Sequence, residues 1–403
     1  MLMAHTPFLG TASKQRRGHP RVVHQNDIHI VAIRCGQSEL SEKFTASMSA
    51  KLMPVDKSSS TNSPETAGKI HRASTLEDWF QSRRAQWVRS RGHTTHIMPF
   101  TGYGSEGWIR VLSRVLLLKP RPSSTGKQRK VRGWRSFTGV PVAGALVTIH
   151  IGEEEFEVTA DRGGVIDQVI PVDLAPGWHT ITLSSDDSLP VAARIRVVPE
   201  TTELGIICDI DDTIMVTALP RPLLAAWNSF VRDENARRPV PGMAVLLDRL
   251  QRDNPDAPVV YLSTGAWNVA ATLTRFLSRH LYPQGPLLLT DWGPTHDRWF
   301  RSGRSHKRHN LQRLAAEFPH LKWILIGDDG QHDETLYVEL AMARPESVRA
   351  IAIRELLAPE ALLAGGRRHF DRTHNPLTIP WVSAPTGAGL ASEFRKLGIL
   401  DES

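Results

Sequence analysis

Three sets of polar side chains each follow directly on an apolar run of the sequence. The run Leu204–Cys208 leads into an alternating D-x-D-x-T pattern, the run 259–262 leads into a serine, and the run 323–327 leads into two aspartates. A lysine lies ahead of the third run, and another aspartate follows it. The candidate side chains are Asp209, Asp211, Thr213, Ser263, Lys307, Asp328, Asp329 and Asp333.

These residue types together favour phosphoryl transfer with Mg²⁺ as the cofactor. Mg²⁺ prefers a few carboxylates, water and phosphate oxygens as ligands. A carboxylate can also act as a nucleophile and pass through an aspartyl-phosphate. In the D-x-D-x-T order, Asp209 can point at phosphorus while Asp211, two residues on, reaches the leaving oxygen. One aspartate would then attack while the other transfers protons.

Closely spaced aspartates also occur in calcium loops and in turns. A calcium loop beginning at Asp209 needs glycine at its sixth position and glutamate at its twelfth, but these positions hold Ile214 and Pro220. An EF-hand is therefore excluded. Aspartate commonly forms turns after strands, and one such group alone would favour that structural interpretation. Three groups in this order favour a site.

The elements that must position these side chains follow from the pattern after residue 203. Continuous apolar runs alternate there with amphipathic helical stretches, which predicts a parallel sheet covered on both faces, a doubly wound α/β fold. Ligands bind beyond the carboxyl ends of the strands in such sheets. We therefore expect the three polar groups to converge on one rim.

Changes in period and composition divide the chain into five segments. A Ser-, Thr- and Lys-rich start predicts disorder, an aromatic face with neighbouring arginines predicts a basic amphipathic helix, and a period of two predicts an antiparallel β-sandwich. The segments are a disordered extension at 1–70, an amphipathic helix at 71–96, a β-sandwich at 97–200, a catalytic α/β domain at 201–365, and a tail with a terminal helix at 366–403.

Composition limits the class of protein further. No apolar run approaches the roughly 20 residues that cross a bilayer, and the first residues carry their basic groups after an apolar patch, the reverse of a secretory signal. Two cysteines, Cys35 and Cys208, fit a reducing compartment. We therefore expect a cytoplasmic protein. The net charge of +7 favours anionic partners only weakly, and no motif supports nucleic-acid binding.

The motifs together resemble the haloacid dehalogenase superfamily: "DIDDT" as its first motif, Ser263 as its second, Lys307 as its third, and "GDDGQHD" as its fourth. More narrowly, "CDIDDTI", "YLSTGAW", "GPLLLTDWGPT", "SHKRHNL" and "ILIGDDGQHD" resemble the App1-type phosphatidate phosphatase family. The resemblance covers roughly residues 97–400, the sandwich included. It implies a haloacid dehalogenase-like fold and a Mg²⁺-dependent phosphatase.

Carried over to this sequence, the resemblance implies that Asp209 is the nucleophile and that Asp211 is the general acid and later the base. Ser263 and Lys307 would hold the phosphoryl oxygens. Asp209, the backbone carbonyl of Asp211, and Asp328 would bind Mg²⁺. Whether Asp329 also binds the metal is left open. The supporting residues are Thr213, Asp329 and Asp333.

The implied substrate is phosphatidate, with diacylglycerol as the product. Residues 215–242 leave room only for a small helical cap, and an open site suits a bulky or membrane-bound substrate. Trp267 and Trp292 are candidates for an acyl groove, although core packing is the favoured interpretation. We therefore expect peripheral contact with a membrane. Two alternatives stay open, a phosphatase for a soluble phosphomonoester and a noncatalytic membrane- or protein-binding protein.

Overall fold

The computed structural model of the chain describes residues 21–22, 83, 87–119, 139–216, 238–290, 296–330, 332–363 and 378–401. Nearly all of the predicted extension, most of the predicted amphipathic helix, most of the predicted cap, and Trp292 lie outside these residues. Helical backbone is described at 87–90, and a turn with Gly92 at φ 77° separates it from a strand that begins at Thr94. The strands therefore begin within the segment predicted as a helix.

Residues 94–198 and the two-residue strand Arg21–Val22 form the β-domain. Its strands pair mostly antiparallel, as predicted, in the order β1-β7-β6-β9-β10-β3-β4-β2, with β5 and β8 also paired to β4. Two pairs, β1 with β7 and β3 with β10, are parallel. The strands are β1 Arg21–Val22, β2 Thr94–Pro99, β3 Gly102–Ser105, β4 Trp108–Leu118, β5 Val140–Pro141, β6 Leu146–Ile151, β7 Glu154–Thr159, β8 Val165–Pro171, β9 Gly177–Ser185 and β10 Ser188–Val198.

The ladder of the β-domain doubles back on itself. Strands β7 and β8 are consecutive in the chain but six positions apart along the ladder. Six spacings of about 4.8 Å would separate them by about 29 Å in a flat sheet. The connection from Thr159 to Val165 spans at most about 21 Å when fully extended. The layers of the predicted sandwich are therefore parts of one bent sheet rather than two separate sheets.

The second part, 204–401, forms the α/β domain around a six-stranded parallel sheet in the order β15-β14-β11-β16-β17-β18. The central strands are buried along almost their whole length, as expected for a sheet covered on both faces. A small antiparallel pair, β12 Met215–Val216 with β13 Arg238–Pro239, flanks the sheet. The strands of the parallel sheet are β11 Leu204–Asp209, β14 Val259–Ala266, β15 Leu287–Thr290, β16 Lys322–Asp328, β17 Val348–Arg354 and β18 Trp381–Ala384.

Helices connect these strands, which confirms the predicted mixed α/β class. The segment predicted as a tail contributes β18 to the sheet, and its helix α6 packs on α1. Among the described helices, none combines the length and apolar composition that a membrane span requires. The helices are α1 Met243–Asp253, α2 Ala270–Arg279, α3 His296–Glu317, α4 Asp333–Ala343, α5 Ala358–Leu363 and α6 Gly387–Lys396.

The two domains share an apolar core. Phe100, Tyr103 and Leu112 of the β-domain belong to the same buried cluster as the strands of the parallel sheet. Phe100 stacks on Trp267 with ring centroids 4.8 Å apart, and Trp267 is 6% exposed. Core packing is therefore the role that the structure gives to Trp267.

Candidate active site

The register of the parallel sheet brings the predicted residues to one rim. Asp209 ends β11 and lies level with Leu262 of β14, so the next residue of β14, Ser263, adjoins it. On the other side of β11, Cys208 is level with Ile326, so the end of β16 at Asp328 reaches the same edge. Carboxyl ends of neighbouring parallel strands meet in this way because the strands run in one direction.

A buried cluster of three carboxylates and one ammonium lies at this rim. The Nζ atom of Lys307 is 2.5 Å from Oδ1 of Asp209 and 2.6 Å from Oδ1 of Asp333. Carboxylate oxygens of Asp209, Asp328 and Asp333 all lie within 4.8 Å of one another. None of the four residues is more than 2% exposed. We call these four residues the acid cluster.

Local backbone contacts hold the acid cluster in place. Asp333 is the first residue of α4 and packs directly on Gly327, where a methyl group would lie 2.7 Å from Oδ2 of Asp333. Oδ1 of Asp328 accepts a hydrogen bond from the amide of Gly330 at 2.8 Å. Oγ1 of Thr213 donates to Oδ2 of Asp209 at 3.1 Å. A glycine at 327 is thus needed for the close approach of Asp333.

Asp211 and Ser263 form a second contact beside the acid cluster. Oγ of Ser263 donates to Oδ2 of Asp211 at 2.8 Å and accepts from the amide of Gly265 at 2.9 Å. The other oxygen of Asp211 is buried and makes no hydrogen bond to any residue that the structure describes. Asp211 therefore offers one free carboxylate oxygen next to Asp209, while its other oxygen is held by Ser263.

The acid cluster carries more negative than positive charge. With all groups ionised, three carboxylates and one ammonium leave a net charge of −2. Burial, followed by the neighbouring Asp333 and Asp209, raises the pKa of Asp328. Burial likewise raises the pKa of Asp209, against the opposing effect of Lys307. Burial acts to lower the pKa of Lys307, but Asp209 and Asp333 outweigh it and raise that pKa.

The residues present fit a divalent cation. Among the described residues, one oxygen each of Asp209, Asp328 and Asp333 is buried without a hydrogen-bond partner, although that of Asp209 is paired with the Lys307 ammonium. Buried polar atoms normally have partners, and an uncompensated buried charge costs several kcal/mol. A divalent cation would supply both the missing partners and two positive charges, and oxygen ligands suit Mg²⁺.

Asp329 lies outside the acid cluster. Its Oδ1 accepts a hydrogen bond from the amide of Leu356 at 2.9 Å. Its own amide donates to the carbonyl of Arg354. Asp329 therefore ties the loop after β16 to the loop after β17. The group of described carboxylates that fits a metal contains Asp333 in its place.

Arg354 is a buried residue of this rim that the sequence did not single out. It is 2% exposed, and its Nη1 donates to the carbonyl of Asp212 at 2.6 Å. Asp212 has φ 59°, an uncommon backbone conformation for a residue with a side chain. Nη2 of Arg354 donates to Glu360 at 2.6 Å. Arg354 thus fixes the loop that carries Asp211 and Thr213. The one sequence feature that could have indicated this role is a basic residue at the end of the apolar strand 348–354.

Comparison with known proteins places these residues in a family context. Residues 204–355 match the family described as phosphatidate phosphatase APP1, catalytic domain. The chain is 28% identical over 206 residues to phosphatidate phosphatase APP1 of Saccharomyces cerevisiae, an alignment that covers 49% of this chain and 34% of that protein. It is 24% identical over 215 residues to an uncharacterized protein of Schizosaccharomyces pombe, covering 51% of this chain and 35% of that protein.

The chain thus spans about a third of the length of the curated relatives it matches. Among solved structures, a carbohydrate acetylesterase from Xanthomonas citri shows 9% identity and a TM-score of 0.24, covering 67% of this chain and 73% of that one. A similarity this low supports no conclusion about fold or function. All predicted site residues lie within the matched segment. Residues 204–355 of the chain are therefore similar to the catalytic domain of the App1-type family.

Proposed function

We propose that this protein is a Mg²⁺-dependent phosphatase that hydrolyses a phosphomonoester through an aspartyl-phosphate, with phosphatidate as its substrate. The observation that carries the proposal is the acid cluster, which buries three carboxylates against one lysine beside a free oxygen of Asp211. We also propose that the α/β domain has the haloacid dehalogenase-like doubly wound fold, which its strand order supports.

In the first step, a carboxylate oxygen of Asp209 attacks phosphorus as the bond from phosphorus to the alkoxide oxygen breaks. The free oxygen of Asp211, buried beside it, gives a proton to the leaving alkoxide. In the second step Asp211 takes a proton from water, which attacks the phosphorus and releases Asp209 and phosphate. Lys307 compensates the charge of Asp209 before attack and of the phosphoryl oxygens during transfer.

Mg²⁺ would be held by Asp209, Asp328 and the backbone carbonyl of Asp211, with Asp333 in support. When bound, it supplies positive charge to the phosphoryl oxygens and to the carboxylates around them. The hydroxyl of Thr213 orients Asp209 through its hydrogen bond to Oδ2. Ser263 is assigned to a phosphoryl oxygen, a role that requires its hydroxyl to turn away from Asp211.

Phosphatidate is favoured as the substrate by the name of the yeast relative and by the short segment 215–242, which leaves room only for a small cap. Under this proposal the protein acts in the cytoplasm at a membrane surface, as a peripheral protein. The competing proposals are a phosphatase for a soluble phosphomonoester and a noncatalytic binding protein.

The test is phosphate release by the purified full chain, with Mg²⁺ and with EDTA. The substrates are phosphatidate in detergent micelles and a panel of soluble sugar and nucleotide phosphates. We expect Mg²⁺-dependent release from phosphatidate that is absent in Asp209→Asn. A clear preference for a soluble compound would replace the lipid substrate. No release from any phosphomonoester would leave the noncatalytic alternative.

A further inference from the structure

Four charged side chains form a partly buried network between the two domains. Arg110 of β4 and Asp167 of β8 come from the β-domain, while Arg313 and Glu317 come from α3. Nη1 of Arg110 lies 2.5 Å from Oδ1 of Asp167, and Nη1 of Arg313 lies 2.8 Å from Oδ2 of the same carboxylate. Arg110 also pairs with Glu317 through Nε and Nη2. We call these four residues the interface network.

The interface network is balanced in charge, although Nε of Arg313 is buried without a hydrogen-bond partner among the described residues. Two guanidinium groups face two carboxylates, and the hydroxyl of Tyr103 donates to Oε2 of Glu317 at 2.8 Å. The arginine side chains are 12% and 14% exposed, that of Glu317 is 16% exposed, and that of Asp167 is 33% exposed. Burial acts to raise the pKa of Asp167, but Arg313 and Arg110 outweigh it and lower that pKa. The interface network therefore holds the two domains in a fixed relative position, which a single ion pair on the surface would not do.

Helix α3, which the interface network holds, also carries the lysine of the acid cluster. Arg313 and Glu317 lie six and ten residues after Lys307 on α3. At 1.5 Å per residue, they are about 9 and 15 Å along the axis from it. A helix transmits a displacement over such a length because its backbone is hydrogen-bonded throughout. The position of Lys307 between Asp209 and Asp333 therefore depends on where the β-domain holds α3.

A second contact joins the β-domain to the other predicted phosphate-holding residue. Phe100 stacks on Trp267, which follows Ser263 by four residues. The β-domain thus contacts α3, which carries Lys307, and the segment that carries Ser263. Both residues are assigned above to the phosphoryl oxygens.

We infer that the β-domain is a positioning element of the active site, and that Arg110 acts through Glu317 and α3 to place the ammonium of Lys307. The inference rests on the proposed function, since it gives Lys307 a task in phosphoryl transfer. Arg110 touches none of the reacting atoms and is a positioning residue. A network that only stabilised the fold would change the melting temperature and leave the turnover of folded protein unaltered.

The test removes one cation and one anion together, so that no charge is left without a partner. In Arg110→Met with Glu317→Met, Asp167 and Arg313 stay paired. The matched control is Arg308→Met with Glu339→Met, which removes a pair between α3 and α4 at 2.7 Å that does not involve the β-domain. It also takes Glu339 away from Arg304, whose side chain is 37% exposed to water. The measurements are kcat and KM for phosphatidate micelles with Mg²⁺, and hydrogen exchange of amides 304–311 in the full chain.

We expect the interface variant to lose kcat about 10- to 100-fold with KM within about twofold, because a misplacement near 1 Å costs about 100-fold. Exchange of amides 304–311 should rise, while the amides of β11 and β16 keep their protection. The control pair should stay within about twofold of wild type in kcat. The inference is overturned if kcat of the interface variant stays within about twofold, or if it falls with exchange at 304–311 unchanged.

Arg110→Lys decides the matter if the double variant does not fold. Lysine keeps the charge but lacks the planar fork that reaches both Asp167 and Glu317. A lower kcat in a protein with a native melting curve supports the inference, and a kcat within about twofold of wild type overturns it. Failure of the proposed function is seen separately, as wild type that releases no phosphate. Hydrogen exchange at 304–311 then still decides whether Arg110 places α3.

Discussion

Helix α3 contributes charged side chains to a buried cluster and to a partly buried one, and the two differ in how their charge is balanced. In the interface network, two arginines face two carboxylates and every pair is closed by hydrogen bonds. In the acid cluster, one lysine faces three carboxylates, and oxygens of Asp328 and Asp333 have no hydrogen-bond partner in the described part of the chain. Both clusters pay a desolvation cost, but only the second leaves charge uncompensated. Uncompensated buried charge of this kind indicates a place for a cation or a reacting group.

Among the variants that test this comparison, the one that removes the nucleophile should have the largest effect. Asp209→Asn keeps the shape of the side chain but loses the attacking carboxylate, so kcat should fall by about 10⁴-fold or more. Burial raises the pKa of Asp209, so its ionised form opposes folding at neutral pH. We therefore expect the melting temperature in EDTA to rise in this variant, measured by circular dichroism. Activity close to wild type would show that Asp209 is not the nucleophile.

Removing the only cation of the acid cluster should cost stability as well as activity. Lys307→Met leaves three buried carboxylates without a positive neighbour, and the free energy of unfolding in EDTA should fall by about 3–5 kcal/mol. Urea denaturation measures it. Lys396→Met is the matched control, because Lys396 is 66% exposed beside Glu393 and its loss should cost less than about 1 kcal/mol. Equal losses in the two variants would contradict a charge imbalance at the rim.

A divalent cation should stabilise the protein through the acid cluster and not through the interface network. Mg²⁺ at about 100 times its Kd should raise the free energy of unfolding by about 2.7 kcal/mol, since it binds only the folded state. Asp328→Asn removes a carboxylate of the acid cluster and should abolish this increase. Asp167→Asn weakens the interface network and should lower stability with the Mg²⁺ response intact. A Mg²⁺ response that survives in Asp328→Asn would place the cation elsewhere.

The sequence could predict one of these clusters far better than the other. The acid cluster follows from buried strands that end in aspartates, because strand burial and chain direction are local patterns that bring Asp209 and Asp328 to one edge. The interface network does not, since Arg110 and Glu317 are 207 residues apart and each looks like an ordinary surface charge in the sequence. Only the packing of the two domains pairs them.

Smaller differences between the sequence-based predictions and the structure have similar causes. Strand β18 was missed because its four residues, Trp381–Ala384, form a short, half-buried strand at the edge of the sheet. The backbone contact of Asp329 with Leu356 joins two loops, and neither loop has a pattern that predicts its partner. The bent ladder of the β-domain depends on which strands pair, whereas the period of two shows only that strands exist. Tertiary pairing is the common missing information.

The smallest expected effect concerns His306, which adjoins Lys307 in the sequence. Its charged or titratable neighbours are Arg313, His309 and Asp167. Burial lowers the pKa of His306 to about 4, with a hydrogen bond to the backbone of Leu288 opposing the shift. Below pH 6.5 the unfolded chain therefore protonates His306 while the folded protein does not. The contribution of neutral His306 to the free energy of unfolding is complete above pH 6.5 and is lost toward pH 4. The difference in unfolding free energy between wild type and His306→Gln, measured in urea from pH 7 to pH 4, should shrink as pH falls, because other groups titrate alike in both proteins. A constant difference would mean that folding does not shift the pKa of His306, and that the region between the two clusters is open to water.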